Sequence, residues 1–193
     1  MPVSLYDSIY ASYHPVDTLG KNKKYVKDKS LSSDNQQVYV KKLKNGKNKL
    51  LFSVAGTHNF SDVVTDGYLA FGKLKSTTRY KQAEDILNKA RDKYQPAKTT
   101  MIGHSLGSGV VSLLNTGNKN DKVLTLDKAS TLFQPTKSNE QSFRTAGDLV
   151  SIANANSTRT TTLKNPNKST GFLPLDILNS HNVSNIKNEK IFI

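Results

Sequence analysis

Residues 99–114 read TTMIGHSLGSGVVSLL, and the order of residue types along this stretch decides the fold. Thr99 to Ile102 is a short β-prone run, and from Ser108 onward Val110, Val111 and Leu114 fall on one helical face. Between them lies Gly103-His104-Ser105-Leu106-Gly107, a G-x-S-x-G pattern set between an expected strand and an expected helix. A serine there occupies a strained tight turn, and side chains two positions either side would collide with the strand and helix that the turn joins. Gly109 leaves further room at the start of the helix. Free backbone N–H groups at that helix end, with its positive dipole, favour an anion formed beside Ser105.

Working outward, 37–57 (QVYVKKLKNGKNKLLFSVAGT) predicts strands at about 37–43 and 49–55. They flank Asn45-Gly46, a dipeptide suited to a type I′ hairpin turn in which both central residues take positive φ. The second strand is apolar at nearly every position, as expected of a strand buried on both faces. Over 76–94, Tyr80, Ala83, Leu87, Ala90 and Tyr94 recur at steps of three and four, which predicts a long amphipathic helix ended by Gln95-Pro96. KVLTLD (122–127) alternates as a strand. The sequence strand, strand, helix, strand, helix, strand is the pattern of a partly parallel sheet covered by helices. At the margins, 4–13 predicts a short tyrosine-faced helix, 17–36 a basic loop, 149–153 a short apolar run, 156–171 a polar loop, and KIFI (190–193) a last strand. There is no internal repeat.

A chain of 193 residues suits one domain, here 1–193, with a helix and basic loop over 1–36 and a core over 37–186. Leu, Ile, Val and Phe make up about 25% of it, above the roughly 20% expected of disordered charged chains. No window approaches the ~18 apolar residues of a membrane span, and MPVSLYDSIYASYHP lacks the basic and apolar regions of a secretory signal. A cytoplasmic or particle-associated location is therefore expected over classical secretion. Zero cysteine excludes disulfides, thiolate metal sites and cysteine nucleophiles. Lys+Arg 28 against Asp+Glu 15 gives a net charge of +13 and implies affinity for something anionic.

A serine hydroxyl is a weak nucleophile until a base takes its proton, and the base needs an acid to hold its tautomer. Where a serine sits on such a strand–helix turn, the acid and then the histidine follow it along the chain. His181 is the sole histidine after Ser105, so it is the base by elimination. Asp127, Asp148 and Asp176, with Asp121 and Glu140, are the acids between them. Asp127 closes the strand after the nucleophile helix, Asp148 begins the apolar run GDLVSIA, and Asp176 lies close enough to His181 to cap a local turn. His104 suits packing behind the turn. The four histidines show no metal-ligand spacing.

Four segments in order, FSVAGTHNFSDVVTD, TTMIGHSLGSG, AGDLVSIAN and ILNSHNVSNI, resemble the class 3 (fungal-type) lipase family of α/β-hydrolases over about 37–186. That family has a GHSLGG elbow, an upstream strand ending in R-G-T/S, an Asp-Φ-Val segment carrying the acid, and a late histidine. The resemblance implies a compact three-layer α/β fold with a mostly parallel central sheet and an N-terminal β-hairpin. It also implies Ser105 as nucleophile, Asp148 as acid in preference to Asp127, His181 as base, and an oxyanion hole from the Thr57 and Leu106 amides. Ala55 stands where the family has arginine, Ser108 where it has the last glycine of GHSLGG, and Val63 where many members have tryptophan. The intervals from Ser105 to Asp148 and His181 are short for the family, which implies trimmed loops. Family members often carry a lid just after the oxyanion residue, and Phe60, Val63 and Val64 in 58–67 have the spacing of one apolar helix face, which equally suits core packing.

The expected activity is hydrolysis of carboxylic esters in lipids, triacylglycerol or phospholipid, with no cofactor and no metal. The lysines between Lys21 and Lys29 and between Lys41 and Lys49 are solvated faces or a docking surface for anionic membrane. One alternative is a lipase-like module kept for binding or structure, such as a basic particle or packaging component. Specific nucleic-acid binding is not expected, because aromatic and basic residues do not interleave as in single-strand modules.

Overall fold

An apolar strand has no face to give to water, and the run Leu50, Leu51, Phe52, Val54 is buried throughout. In the computed structural model of the chain, which describes residues 3–14, 17, 19–20, 24–57, 71–129, 136–152, 159–167, 169–171 and 173–193, this run is β3 (Asn48–Val54). It pairs antiparallel with β2 (Gln36–Lys42) and parallel with β4 (Lys98–His104). β1 (Val26–Lys27) extends the antiparallel side. β5 (Asp121–Leu126), β6 (Glu140–Thr145) and β7 (Thr160–Leu163) extend the parallel side, so the seven strands lie in sequence order. The sheet is the mostly parallel α/β sheet expected, with its hairpin at the N-terminal side.

The pleat sorts the core into two layers. Leu50, Phe52, Val54, Met101 and Val123 face one side, where the helices α2 (Thr78–Tyr94) and α3 (Leu106–Leu114) bury Tyr80, Ala83, Leu87, Val110 and Val111 against them. Right-handed crossovers taken repeatedly in one direction put their helices on one face, and α2 and α3 are the β3–β4 and β4–β5 crossovers. Leu51, Ile102, Leu124 and Leu126 face the other side and meet Leu5, Ile9 and Ala11 of α1 (Leu5–Tyr13) together with Ile186. Ser4 caps α1 through a capping box with Asp7, at 3.0 and 3.2 Å. Ser8 of α1 accepts a 2.6 Å hydrogen bond from the Ser53 hydroxyl at its carbonyl, which fixes the helix to β3. Thr77 and left-handed Gln95 (φ 42) close the ends of α2.

Several expectations are corrected. The hairpin is not type I′: only Gly46 has positive φ (77), while Gly46 N–H donates to Leu43 O at 3.0 Å and Leu43 N–H to Lys47 O at 2.8 Å. This is a three-residue loop with glycine in the left-handed position of a bulge, and Asn45 needs no strain. The expected loop 17–36 holds β1 and a 3₁₀ turn, Lys29–Leu31, capped by Asp28. The expected loop 156–171 holds β7. KIFI does not join the sheet; it runs beside residues 3–5, with Leu5 N–H on Ile191 O (2.8 Å) and Ile193 N–H on Val3 O (3.0 Å). Residues 58–67, including Val63, lie outside the described residues. Among the described residues no helix is long and apolar enough to cross a membrane.

Phe52 has no exposed surface, and Phe→Ala at such a site costs about 3–5 kcal/mol in lost burial and cavity formation. Denaturant unfolding of Phe52→Ala should show a loss of that size; a loss below about 1 kcal/mol would contradict a central β3.

Candidate active site

Three backbones converge where β4 turns into α3. A Cβ on Gly103 would lie 2.4 Å from Gly107 O, and one on Gly107 would lie 2.3 Å from Val54 O. Only glycine fits at either position, which is the steric reason for the motif. The chain passes this point with Ser105 at φ 54, ψ −123, a strained conformation for a residue with a side chain. Its N–H donates to Leu126 O at 3.0 Å, and its carbonyl accepts from the N–H groups of Ser108 and Ala129 at 3.0 and 3.3 Å. The Ser105 hydroxyl is buried and makes no hydrogen bond among the described residues. Leu106 is the first residue of α3, so its N–H has no acceptor within the helix. Ser108, which departs from the elbow pattern of the family the sequence resembles, donates to Leu126 O at 2.9 Å and accepts from Leu126 N–H at 3.2 Å, stitching α3 to β5.

His181 follows the helix α4 (Leu173–Ser180), and its Nδ1 lies 2.8 Å from Asp148 Oδ1. Both side chains are buried. Asp148 also accepts from the N–H of Ser151 at 2.9 Å and from the Ser151 hydroxyl. Burial opposes the Asp148 charge, but the His181 hydrogen bond and the Ser151 donors outweigh it and hold the carboxyl below the usual range. Asp127, the other acid left open by the sequence, is also buried. Its carboxylate accepts from Thr145 N–H and Oγ1 at 2.6 and 3.1 Å. Burial, then repulsion from Asp148, pushes its pKa up to about 7. Asp176 turns away to Ser169 and Thr170, at 2.6 and 2.7 Å.

His104 packs behind the serine, its ring 4.8 Å from that of His181. Its Nε2 lies 3.2 Å from His181 O, which can only accept, so Nε2 carries the proton. Its Nδ1 then accepts from the Tyr13 hydroxyl at 2.6 Å, and that hydroxyl accepts from Gly56 N–H at 2.7 Å. Burial, then the electrostatic influence of the neighbouring His181 ring, pulls the His104 pKa down to about 3, so the His104 ring stays neutral. Burial likewise raises Tyr13 to about 12. One donor atom each from His104, Asp127 and His181 lie within 4.8 Å of one another. Both His104 nitrogens are already hydrogen bonded, so this cluster is a packed network and not an open ligand set.

Thr57 is half-buried at the end of the segment leaving β3. Just before it, Ala55 N–H donates to Asn35 O at 2.9 Å, and Arg79 of α2 donates to the Ala55 and Gly56 carbonyls, the latter at 3.0 Å. The structure thus brings Asp148 to His181 and sets Thr57 and Leu106 on the two segments that meet at Ser105. Tyr13 and Arg79 escaped the sequence reading, because each acts on a partner more than twenty residues away and no local pattern marks it.

A strained serine at a strand–helix turn on a mostly parallel, helix-covered sheet defines an α/β-hydrolase. The sequence matches the family described as lipase (class 3) over residues 36–153, more than half the chain, and the chain belongs to that family. No curated protein matches it. Among solved structures it is similar to the Lip2 lipase of Yarrowia lipolytica, at 14% identity and TM-score 0.50, covering 76% of this chain and 71% of that one. It is also similar to a deletion mutant of Rhizomucor miehei lipase in a propeptide complex, at 11% identity and TM-score 0.50. There it covers 76% of this chain and 59% of that one, under two thirds of its length. At these identities the likeness shows the fold, and family and fold together are those of lipid ester hydrolases.

The raised pKa of Asp127 has a definite sign. The folded protein holds the Asp127 proton up to about pH 7, whereas the unfolded carboxyl loses it near its ordinary value of 3.8, so this residue removes stability as pH rises between them. Asp127→Asn should therefore gain stability over the parent at pH 8 and gain less at pH 5, measured by denaturant unfolding; an equal difference at both pH values would contradict the buried, raised carboxyl.

Proposed function

We propose that the chain is a serine hydrolase of carboxylic esters in lipids, working through Ser105, His181 and Asp148. The observation that carries this reading is the buried Asp148–His181 hydrogen bond at 2.8 Å, with the His181 carbonyl bonded to His104, the residue before the strained Ser105. Ser105 attacks the ester carbonyl while His181 Nε2 takes its proton. Asp148 holds Nδ1–H and stabilises the imidazolium that forms. The Thr57 and Leu106 amides receive the oxyanion, the latter at the positive end of α3. His181 returns the proton to the departing alcohol, and water then releases the acyl group by the same route. Asp127 has a lesser claim to the acid role, since Thr145 already engages both its oxygens and His181 bonds Asp148.

The lipid part of the reading has its own support. Leu149 and Ile152, immediately after Asp148, and Leu175, on the helix leading to His181, are exposed large apolar residues. Acylglycerols and phospholipids offer acyl chains for such a surface, and the net charge of +13 favours an anionic interface.

Purified protein should hydrolyse a short-chain nitrophenyl ester, Ser105→Ala should abolish this, and Asp148→Asn should lower kcat by about 10²–10⁴-fold, as expected when a general base loses its orienting acid. Unchanged turnover in Ser105→Ala would end the serine reading in favour of a non-catalytic module. For the interface, raising salt from 50 to 500 mM should depress hydrolysis of phosphatidylglycerol vesicles while sparing the soluble ester; equal effects on both would remove the anionic surface from the account.

A further inference from the structure

Arg79 is placed where stability alone would not put it. It lies in the first turn of α2, whose N-cap is Thr77, and a cation there meets the positive end of the helix dipole. It is largely buried, and burial pulls its pKa down. No carboxylate pairs with it among the described residues; its partners are the Asn35 side chain, at 3.3 Å, and the carbonyls of Ala55 and Gly56. Those two carbonyls stand immediately before Thr57.

The peptide group explains what this grip achieves. In a planar trans peptide the C=O and the N–H point in opposite directions. The Gly56 carbonyl and the Thr57 N–H belong to one such unit, so holding the carbonyl toward Arg79 fixes the N–H on the opposite side. The preceding unit is held at both ends, by Arg79 at Ala55 O and by the Tyr13 hydroxyl at Gly56 N–H. Gly56 in turn packs on the nucleophile: a Cβ there would lie 2.9 Å from Ser105 Cβ and 3.0 Å from His104 O. A positive charge on the carbonyl end also polarises the unit and strengthens its N–H as a donor.

We propose that Arg79 is a positioning residue for the oxyanion site: its guanidinium, through the Ala55 and Gly56 carbonyls, aims and polarises the Thr57 N–H toward the oxygen of the tetrahedral intermediate. This rests on the serine-hydrolase reading above. It also gives the position of Ala55 a physical account, since the strand end is held by an arginine brought from α2.

The test compares parent, Arg79→Gln and Arg79→Lys on a soluble nitrophenyl ester, with an alkyl boronic acid as a mimic of the anionic tetrahedral state. Outright removal of an oxyanion donor costs about 10²–10³-fold in kcat, so a misaimed one should cost about 10–10²-fold, with KM changed by less than about twofold. Boronic acid affinity should fall by the same factor as kcat, and Arg79→Lys should be intermediate in both. An unchanged kcat in folded Arg79→Gln, or a raised KM with intact kcat, would overturn the inference. If Arg79→Gln does not fold, Arg79→Lys decides by the same criteria. A parent activity that survives Ser105→Ala is a separate result, which removes the serine reading itself.

Discussion

The structure around the site depends on how closely three backbones approach at the end of β4. Positions 56, 103 and 107 leave no space for a Cβ, and the carbonyls of Val54 and Ala55 press on the first turn of α3 at 2.3 and 2.4 Å from where a Gly107 Cβ would be. That approach forces Ser105 into positive φ, at a cost of order 1–3 kcal/mol that the rest of the fold must offset. The offset is visible in the buried faces of β3, β4 and β5 and in the Leu126 carbonyl that receives the Ser105 N–H.

A hydrogen-bonded chain then ties the two halves of the site together. It runs from Gly56 N–H to the Tyr13 hydroxyl, to His104, and from His104 to the carbonyl of His181. The neutral state of His104, set by its burial, gives this chain a single proton direction. Tyr13 reaches it because Leu5 and Ile9 bury α1 against the sheet face opposite α2 and α3. The N-terminal helix therefore bears on the site by packing first and by one hydroxyl second.

Much of this was legible in the sequence, and the limits have physical reasons. β3 and β4 are apolar enough to declare themselves, and the glycines of GHSLG state their steric purpose directly. β6 (EQSFRT) and β7 (TTTL) carry too little apolar surface to read as strands, since their burial comes from neighbours already in the sheet. The hairpin was placed correctly but its turn was not, because Asn-Gly fits both a type I′ turn and a bulged loop, and which forms depends on strand register. The residue pattern alone left Asp127 and Asp148 open, and only the family resemblance preferred Asp148; both lie after strands and both are buried, with Thr145 bonded to the first and His181 to the second. Arg79 and Tyr13 were invisible, as their partners lie more than twenty residues away along the chain and the fold alone brings them near.

The central claim is that Ser105 is a nucleophile activated by this fold. Reaction with a fluorophosphonate, followed by peptide mass mapping, addresses it without choosing a substrate. The account predicts one adduct per chain, on Ser105, and its loss when the protein is unfolded before the reagent is added. A folded protein that takes no adduct, or takes it on another residue, would contradict it.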